Sequence, residues 1–144
     1  MRTTEDQPPA ANVAETVLVV DDDVLVRASI AAYLRECGYR VIEANGAEEA
    51  MLLLDHDTGA EIGAVLTDIE MAGGRDGFVL AQWIRTRRPD CDVILAGTPA
   101  RAANAAGELC EKGPMLAKPY ETRLVLDHIR QLMARRRRRD PDAP

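Results

Sequence analysis

The sequence predicts an α/β domain: a doubly wound parallel sheet of five strands with helices on both faces. Three observations carry that expectation. Short, continuous runs of apolar and β-branched residues alternate with longer segments whose apolar residues recur at helical spacing. The connections between them are brief, and short right-handed crossovers leave few alternatives to a parallel sheet. The length of 144 residues, 47% of them hydrophobic, suits one packed core and not a two-domain enzyme.

The first strand is Thr16-Val17-Leu18-Val19-Val20, an unbroken apolar run of the kind covered on both faces. A helix over Val24 to Cys37 follows, with Ile30, Ala31, Leu34 and Cys37 on one face and Gly38 suited to a left-handed stop. Arg40 to Ala44 forms the second strand. Asn45 is expected to cap the next helix, with Glu48 three residues on, and that helix runs to about His56. Ala64 to Thr67 is the third strand, leading through a glycine-rich loop into a helix from about Gly77 to Arg88 that Pro89 ends. Asp92 to Ala96 is the fourth strand, Ala100 to Leu109 an alanine-rich helix, and Met115-Leu116-Ala117 a short fifth strand. The last helix, Glu121 to about Arg137, carries an apolar stripe of Leu124, Val125, Ile129, Leu132 and Met133. Residues 1–15 and 140–144 contain proline, lack apolar periodicity and are expected to be flexible.

Charge and cysteine usage narrow the function classes. The net charge is −6, and five of the 18 basic residues form the run Arg135 to Arg139; without them 13 basic residues face 24 acidic ones, a net −11. Such a body should not coat nucleic acid, and five arginines without interleaved aromatics read first as a solvated helix end. Cys37, Cys91 and Cys110 are odd in number and lack CxxC spacing, which argues against a disulfide framework or a zinc site and for a reduced, cytoplasmic setting; Cys37 reads as core. The polar N-terminus is not a signal peptide, and no apolar run approaches the roughly 20 residues that span a bilayer. GxxxxGK and GxGxxG are both absent, disfavouring nucleotide-binding versions of the architecture. His56 and His128 lack spaced ligand partners, and Trp83 reads as a partly buried helix residue.

Ligands in this architecture sit outside the carboxyl ends of the strands. Three chain segments converge there: Asp21-Asp22-Asp23 after the first strand, Asp68 after the third, and Lys118-Pro119 after the fifth. A helix cap accounts for Asp23. It does not account for three adjacent carboxylates, which repel one another, so Asp21 and Asp22 need a cation. With Asp68 they make a hard-oxygen cluster suited to Mg²⁺, leaving coordination places for water or phosphate oxygens. Lys118 reads either as a ligand of a phosphoryl oxygen or as a salt-bridge partner of an acidic neighbour.

The set VLVVDDD, LTDIEMAGGRDG and AKPY resembles the receiver domain of two-component response regulators, over about residues 16 to 134. The resemblance implies a (βα)5 flavodoxin-like fold with Asp68 as phosphoacceptor. It makes Asp22, Asp68 and the backbone carbonyl of Glu70 direct Mg²⁺ ligands, with Asp21 acting through water and Lys118 binding the phosphoryl group. It implies a phosphohistidine donor on a histidine kinase or phosphotransfer protein, and a possible phosphorylation-dependent homodimer. The chemistry stands without the family: a carboxylate serves as nucleophile in phosphoryl transfer, which asks mainly for in-line positioning and charge neutralisation.

Three features depart from the family pattern. Alanine at position 72 replaces a common proline in a loop one residue longer than usual, which glycines accommodate. The serine or threonine that ends the fourth strand is replaced by Gly97, with Thr98 one residue late. Either the strand end shifts so that Thr98 supplies a switch hydroxyl, or the direct contact is missing; strand alternation favours the second. Met115 replaces the aromatic residue of the fifth strand, and Tyr120 a common phenylalanine. Glu70 is expected to affect phosphate lifetime in an undetermined direction. The reading is a stand-alone response regulator signalling by partner binding, relay or phosphate drainage. Its rivals are a degenerate receiver acting as a phosphorylation-independent binding module, and a phosphohydrolase.

Overall fold

The computed structural model describes residues 16–57, 61–71 and 76–112, together with positions 127 and 131. Within them lie β1 (Thr16–Val20), α1 (Val24–Glu36), β2 (Arg40–Ala44), α2 (Ala47–Asp55), β3 (Ile62–Asp68), α3 (Gly77–Arg87), β4 (Asp92–Ala96) and α4 (Pro99–Glu111). The four described strands form one parallel sheet in the order β2-β1-β3-β4. The alternation of strand and helix read from the sequence is therefore the observed one, and β2 and β4 have the expected bounds. The expected fifth strand lies outside the described residues, as does the expected last helix apart from positions 127 and 131, and so do Met115, Lys118, Tyr120, His128, the Arg135 to Arg139 run and both chain ends.

Burial follows from place in the sheet. Every residue of β1 is buried, because β1 has a strand on each edge and helices on each face. The edge strand β2 instead alternates exposed Arg40 and Ile42 with half-buried Val41 and Glu43. Odd and even positions divide the core. Val17, Val19, Ala64, Leu66 and Ala96 face α1 and α4, packing on Val26, Ile30, Leu34 and Ala106. Leu18, Val20, Ile62 and Val65 face α2 and α3, packing on Ala50, Leu54, Leu80 and Ile84. Alanines 102, 103, 105 and 106 give α4 a face small enough for close approach to α1.

The helix ends show where local chemistry was read correctly and where it was not. Asp23 caps α1, its side chain accepting from the N–H groups of Leu25 and Val26. Gly38 beyond the other end takes a φ of 99°, as a left-handed stop requires. Asp76 caps α3 by accepting from Val79 N–H. Asn45, by contrast, does not cap α2: the cap position is Gly46, with no side-chain bond, and the Asn45 N–H donates to the Glu49 carboxylate at 2.8 Å. The helix starts one residue later than the Asn45 cap implied, so Glu49 takes the role given to Glu48.

The cysteines are a second correction. Cys37 and Cys110 form a disulfide joining the C-terminal end of α1 to the last turn of α4, while Cys91 is a buried free thiol. Cys37 is core as expected, but an odd count with no short spacing hid its partner 73 residues on. The bond adds to a neighbouring tie, the Tyr39 hydroxyl donating to the Leu109 carbonyl at 2.6 Å. Closing so long a loop restricts the unfolded chain strongly. Dithiothreitol is therefore expected to lower the unfolding free energy by about 2–4 kcal/mol in urea titrations. Cys91→Ser should leave that response intact, and Cys37→Ser should abolish it.

Candidate functional site

Asp21 and Asp68 become neighbours because β1 and β3 pair in parallel with Val20 opposite Thr67. One residue further on, each chain leaves the sheet at the same end. Oxygens of Asp21, Asp22 and Asp68 lie within 4.8 Å of one another. They line a cleft of about 520 Å³ whose wall includes Arg27, Glu70, Gly97, Thr98 and Ala102. The structure thus assembles the three carboxylates that the sequence placed at the strand ends; Lys118 lies outside the described residues.

Backbone contacts fix each carboxylate. Asp21 donates its N–H to the Ala44 carbonyl at the end of β2, and its Oδ1 accepts from Asp23 N–H at 2.9 Å. Asp68 Oδ1 accepts from Ile69 N–H at 2.9 Å, and the buried Thr67 hydroxyl donates to the Asp68 carbonyl. Beyond Asp68 the chain is held by Gly77, whose N–H donates to the Ile69 carbonyl at 2.6 Å. A Cβ at Gly77 would collide with the Asp68 carbonyl oxygen, so only glycine lets α3 begin against the end of β3.

Crowding is visible in the proton affinities. Asp21 is pushed up to about 7, first by burial and then by the Asp68, Asp22 and Asp23 charges, against the bond from Asp23 N–H. Asp68 is pushed up to about 6, again first by burial, with Asp22, Glu70 and Asp23 adding and Ile69 N–H opposing. The donor set is all oxygen, anionic and half-exposed, which fits a hard divalent cation keeping several waters.

Thr98 caps α4: its Oγ1 accepts from Arg101 N–H at 3.1 Å, and it borders the cleft. Gly97 follows β4 at the cleft and brings no hydroxyl. Glu70 is exposed on the cleft wall.

Two contributors escaped sequence reasoning. One is the close approach at Gly77. The other is Arg27, whose guanidinium donates from Nη1 to the Asp21 carbonyl at 2.8 Å and from Nε to Glu43 at 3.1 Å. The available signal was positional, since helical side chains lean toward the N-terminus and a long one in the first turns covers the preceding loop.

The sequence profile of the response regulator receiver domain matches residues 17–130. The chain belongs to the response regulator receiver domain family. It is 32% identical over 121 residues to the transcriptional regulatory protein AruR of Pseudomonas aeruginosa, covering 83% of this chain and 49% of that protein. It is 33% identical over 118 residues to the response regulator protein FleR of the same organism, covering 81% of this chain and 24% of that protein. This receiver domain therefore spans half or less of the length of these relatives. Among solved structures it resembles a receiver protein from Pseudomonas putida, at 29% identity and a TM-score of 0.53, covering 82% of this chain and 97% of that one. It also resembles the Thermotoga maritima response regulator TrrA in complex with Mg²⁺ and beryllium fluoride, at 25% identity and a TM-score of 0.52, covering 82% and 98%. Among the described residues of the receiver domain no helix is long and apolar enough to cross a membrane.

Two predictions rest on this geometry. A carboxyl whose folded pKa exceeds its unfolded value binds protons more tightly when folded, so its stabilisation is present below about pH 4 and lost as pH rises through about 7. In chelator-treated protein, Asp21→Asn, which keeps the acceptor for Asp23 N–H, is expected to raise the urea midpoint at pH 8 and to leave it nearly unchanged at pH 4. Gly77→Ala forces backbone to move at the end of β3 and is expected to cost about 1–3 kcal/mol in the same assay.

Proposed function

We propose that this receiver domain accepts a phosphoryl group on Asp68 from a phosphohistidine on a histidine kinase or phosphotransfer protein, in a Mg²⁺-dependent reaction. The observation carrying the proposal is the convergence of Asp21, Asp22 and Asp68 oxygens within 4.8 Å on one open cleft of a receiver fold. A pure scaffold has no use for that repulsion.

A carboxylate oxygen of Asp68 attacks phosphorus in line with the leaving imidazole nitrogen. The P–N bond breaks as the P–O bond forms, and the product is an aspartyl phosphate. At neutral pH a carboxyl titrating near 6 is mostly ionised and able to attack. The Ile69 N–H and the Gly77-anchored loop orient Asp68. Asp22, Asp68 and the Glu70 carbonyl would hold Mg²⁺, with Asp21 acting through water. A bound Mg²⁺ supplies charge neutralisation at the phosphoryl oxygens. Lys118 is assigned the remaining phosphoryl contact. Thr98 borders the cleft; its oxygen accepts from Arg101 N–H as the α4 cap, which leaves the hydroxyl proton available to donate to a phosphoryl oxygen, whereas Gly97 has no hydroxyl to offer.

Signalling then proceeds through phosphorylation-dependent contact with a downstream protein, onward relay, or drainage of a shared kinase, by a domain extending over residues 16–134. A phosphorylation-independent binding module is the second reading, favoured by the missing hydroxyl at Gly97. Incubation with acetyl phosphate and Mg²⁺ followed by intact-mass measurement separates the two. One added phosphoryl group is expected on wild type, absent without Mg²⁺ and absent in Asp68→Asn. No uptake by wild type selects the binding module, and phosphate release over many turnovers selects a hydrolase.

A further inference from the structure

We propose that Arg27 is a positioning residue for the cation site, holding the Asp21–Asp22 peptide so that both carboxylates face one ion. The inference rests on the Mg²⁺-dependent reading above and concerns a residue that does not itself touch the ion. Three bonds carry it. The Asp21 N–H is tied to the Ala44 carbonyl, the Asp21 carbonyl accepts from Arg27 Nη1 at 2.8 Å, and Arg27 Nε is held by Glu43 at 3.1 Å. Because the peptide unit is planar, fixing the Asp21 carbonyl also fixes the Asp22 nitrogen, and with it the direction in which the Asp22 side chain leaves the backbone.

The turn needs such a restraint. Asp21, Asp22 and Asp23 are consecutive carboxylates, and Asp21 feels the charges of both others. Repulsion drives the first two apart, whereas a shared ion requires them together. Arg27 is well placed to resist, since its side chain is only 14% exposed and lines the cleft from α1. Its backbone is itself anchored, Arg27 N–H donating to the carbonyl of the capping residue Asp23. One planar, rigid fork thus joins α1, the acidic turn and the end of β2. Glu43, which also meets Arg35 at 3.4 Å, offsets the cationic charge locally.

Charge and geometry predict opposite signs, which makes the proposal testable. Removing a cation beside a metal site should strengthen Mg²⁺ binding if only electrostatics matter. Removing a positioning residue should weaken it, by about tenfold where an outer-shell partner is lost. The experiment is calorimetric titration of the metal-free full chain with MgCl2, alongside thermal unfolding in chelator. Arg27→Met is expected to bind Mg²⁺ about tenfold more weakly than wild type. Arg27→Lys keeps the charge but loses the fork, and is expected to weaken binding by about threefold or more. Affinity in Arg27→Met equal to or above wild type overturns the proposal. Should Arg27→Met fail to fold, Arg27→Lys decides alone, and wild-type affinity there overturns it. Weakening that accompanies an equal loss of thermal stability in both variants also overturns it, because the effect is then general. A wild-type chain that takes up no Mg²⁺ instead overturns the functional reading on which the proposal stands.

Discussion

Parallel pairing of β1 with β3 is the constraint from which the rest follows. It sets Val20 beside Thr67, so the next residues out of the sheet, Asp21 and Asp68, emerge side by side at one end. Their charges oppose that arrangement, and the apolar packing of two buried strands enforces it. Ten residues of β1 and β3 are fully or nearly fully buried, among them Leu18, Val20 and Val65, so no sliding of one strand on the other relieves the repulsion without exposing core. The site is thus held together by interactions that have no part in its chemistry.

What surrounds the carboxylates divides the work of holding them. Asp23 spends its side chain on the α1 cap and is not one of the three clustered carboxylates. Asp21 is gripped at its N–H by β2 and at its carbonyl by Arg27. Asp68 is held from beyond by α3, through a glycine whose missing Cβ makes room for the Asp68 carbonyl. Each restraint comes from a different helix or strand, so the cleft reports on the packing of the whole sheet end and not on one loop.

Much of this was legible in the sequence because its signals are local. A β-branched run declares a buried strand, and an aspartate just before a helical period declares a cap; β1, β2, β4, Asp23 and the Asp21, Asp22, Asp68 set were read on that basis. What escaped depends on contacts distant in sequence. The Cys37–Cys110 bond joins residues 73 apart and becomes visible only when α4 packs beside α1. Beyond its place in the first turns of α1, Arg27 carries no local sequence signal for the contacts it makes with the Asp21 carbonyl and Glu43. Asn45 failed as a cap for a subtler reason: an equally good local arrangement, Gly46 at the cap and Glu49 reaching back, competes with it and wins. Thr98 also takes a cap role, its oxygen accepting from the α4 backbone.

The electrostatics also bear on what an accepted phosphoryl group would do. Carboxyls raised to about 7 and about 6 mark a site that disfavours accumulated negative charge. An aspartyl phosphate carries about two negative charges where the free carboxylate carried one. Phosphorylation therefore increases the repulsion that burial already makes costly, and the modified state depends on cations more than the unmodified one does. A divalent ion held among the Asp21, Asp22 and Asp68 carboxylates would be the direct remedy, since its charge offsets those that repel. If Asp68 is phosphorylated as proposed, the geometry of the acidic turn, and hence Arg27, would bear on how long that state lasts as well as on whether it forms.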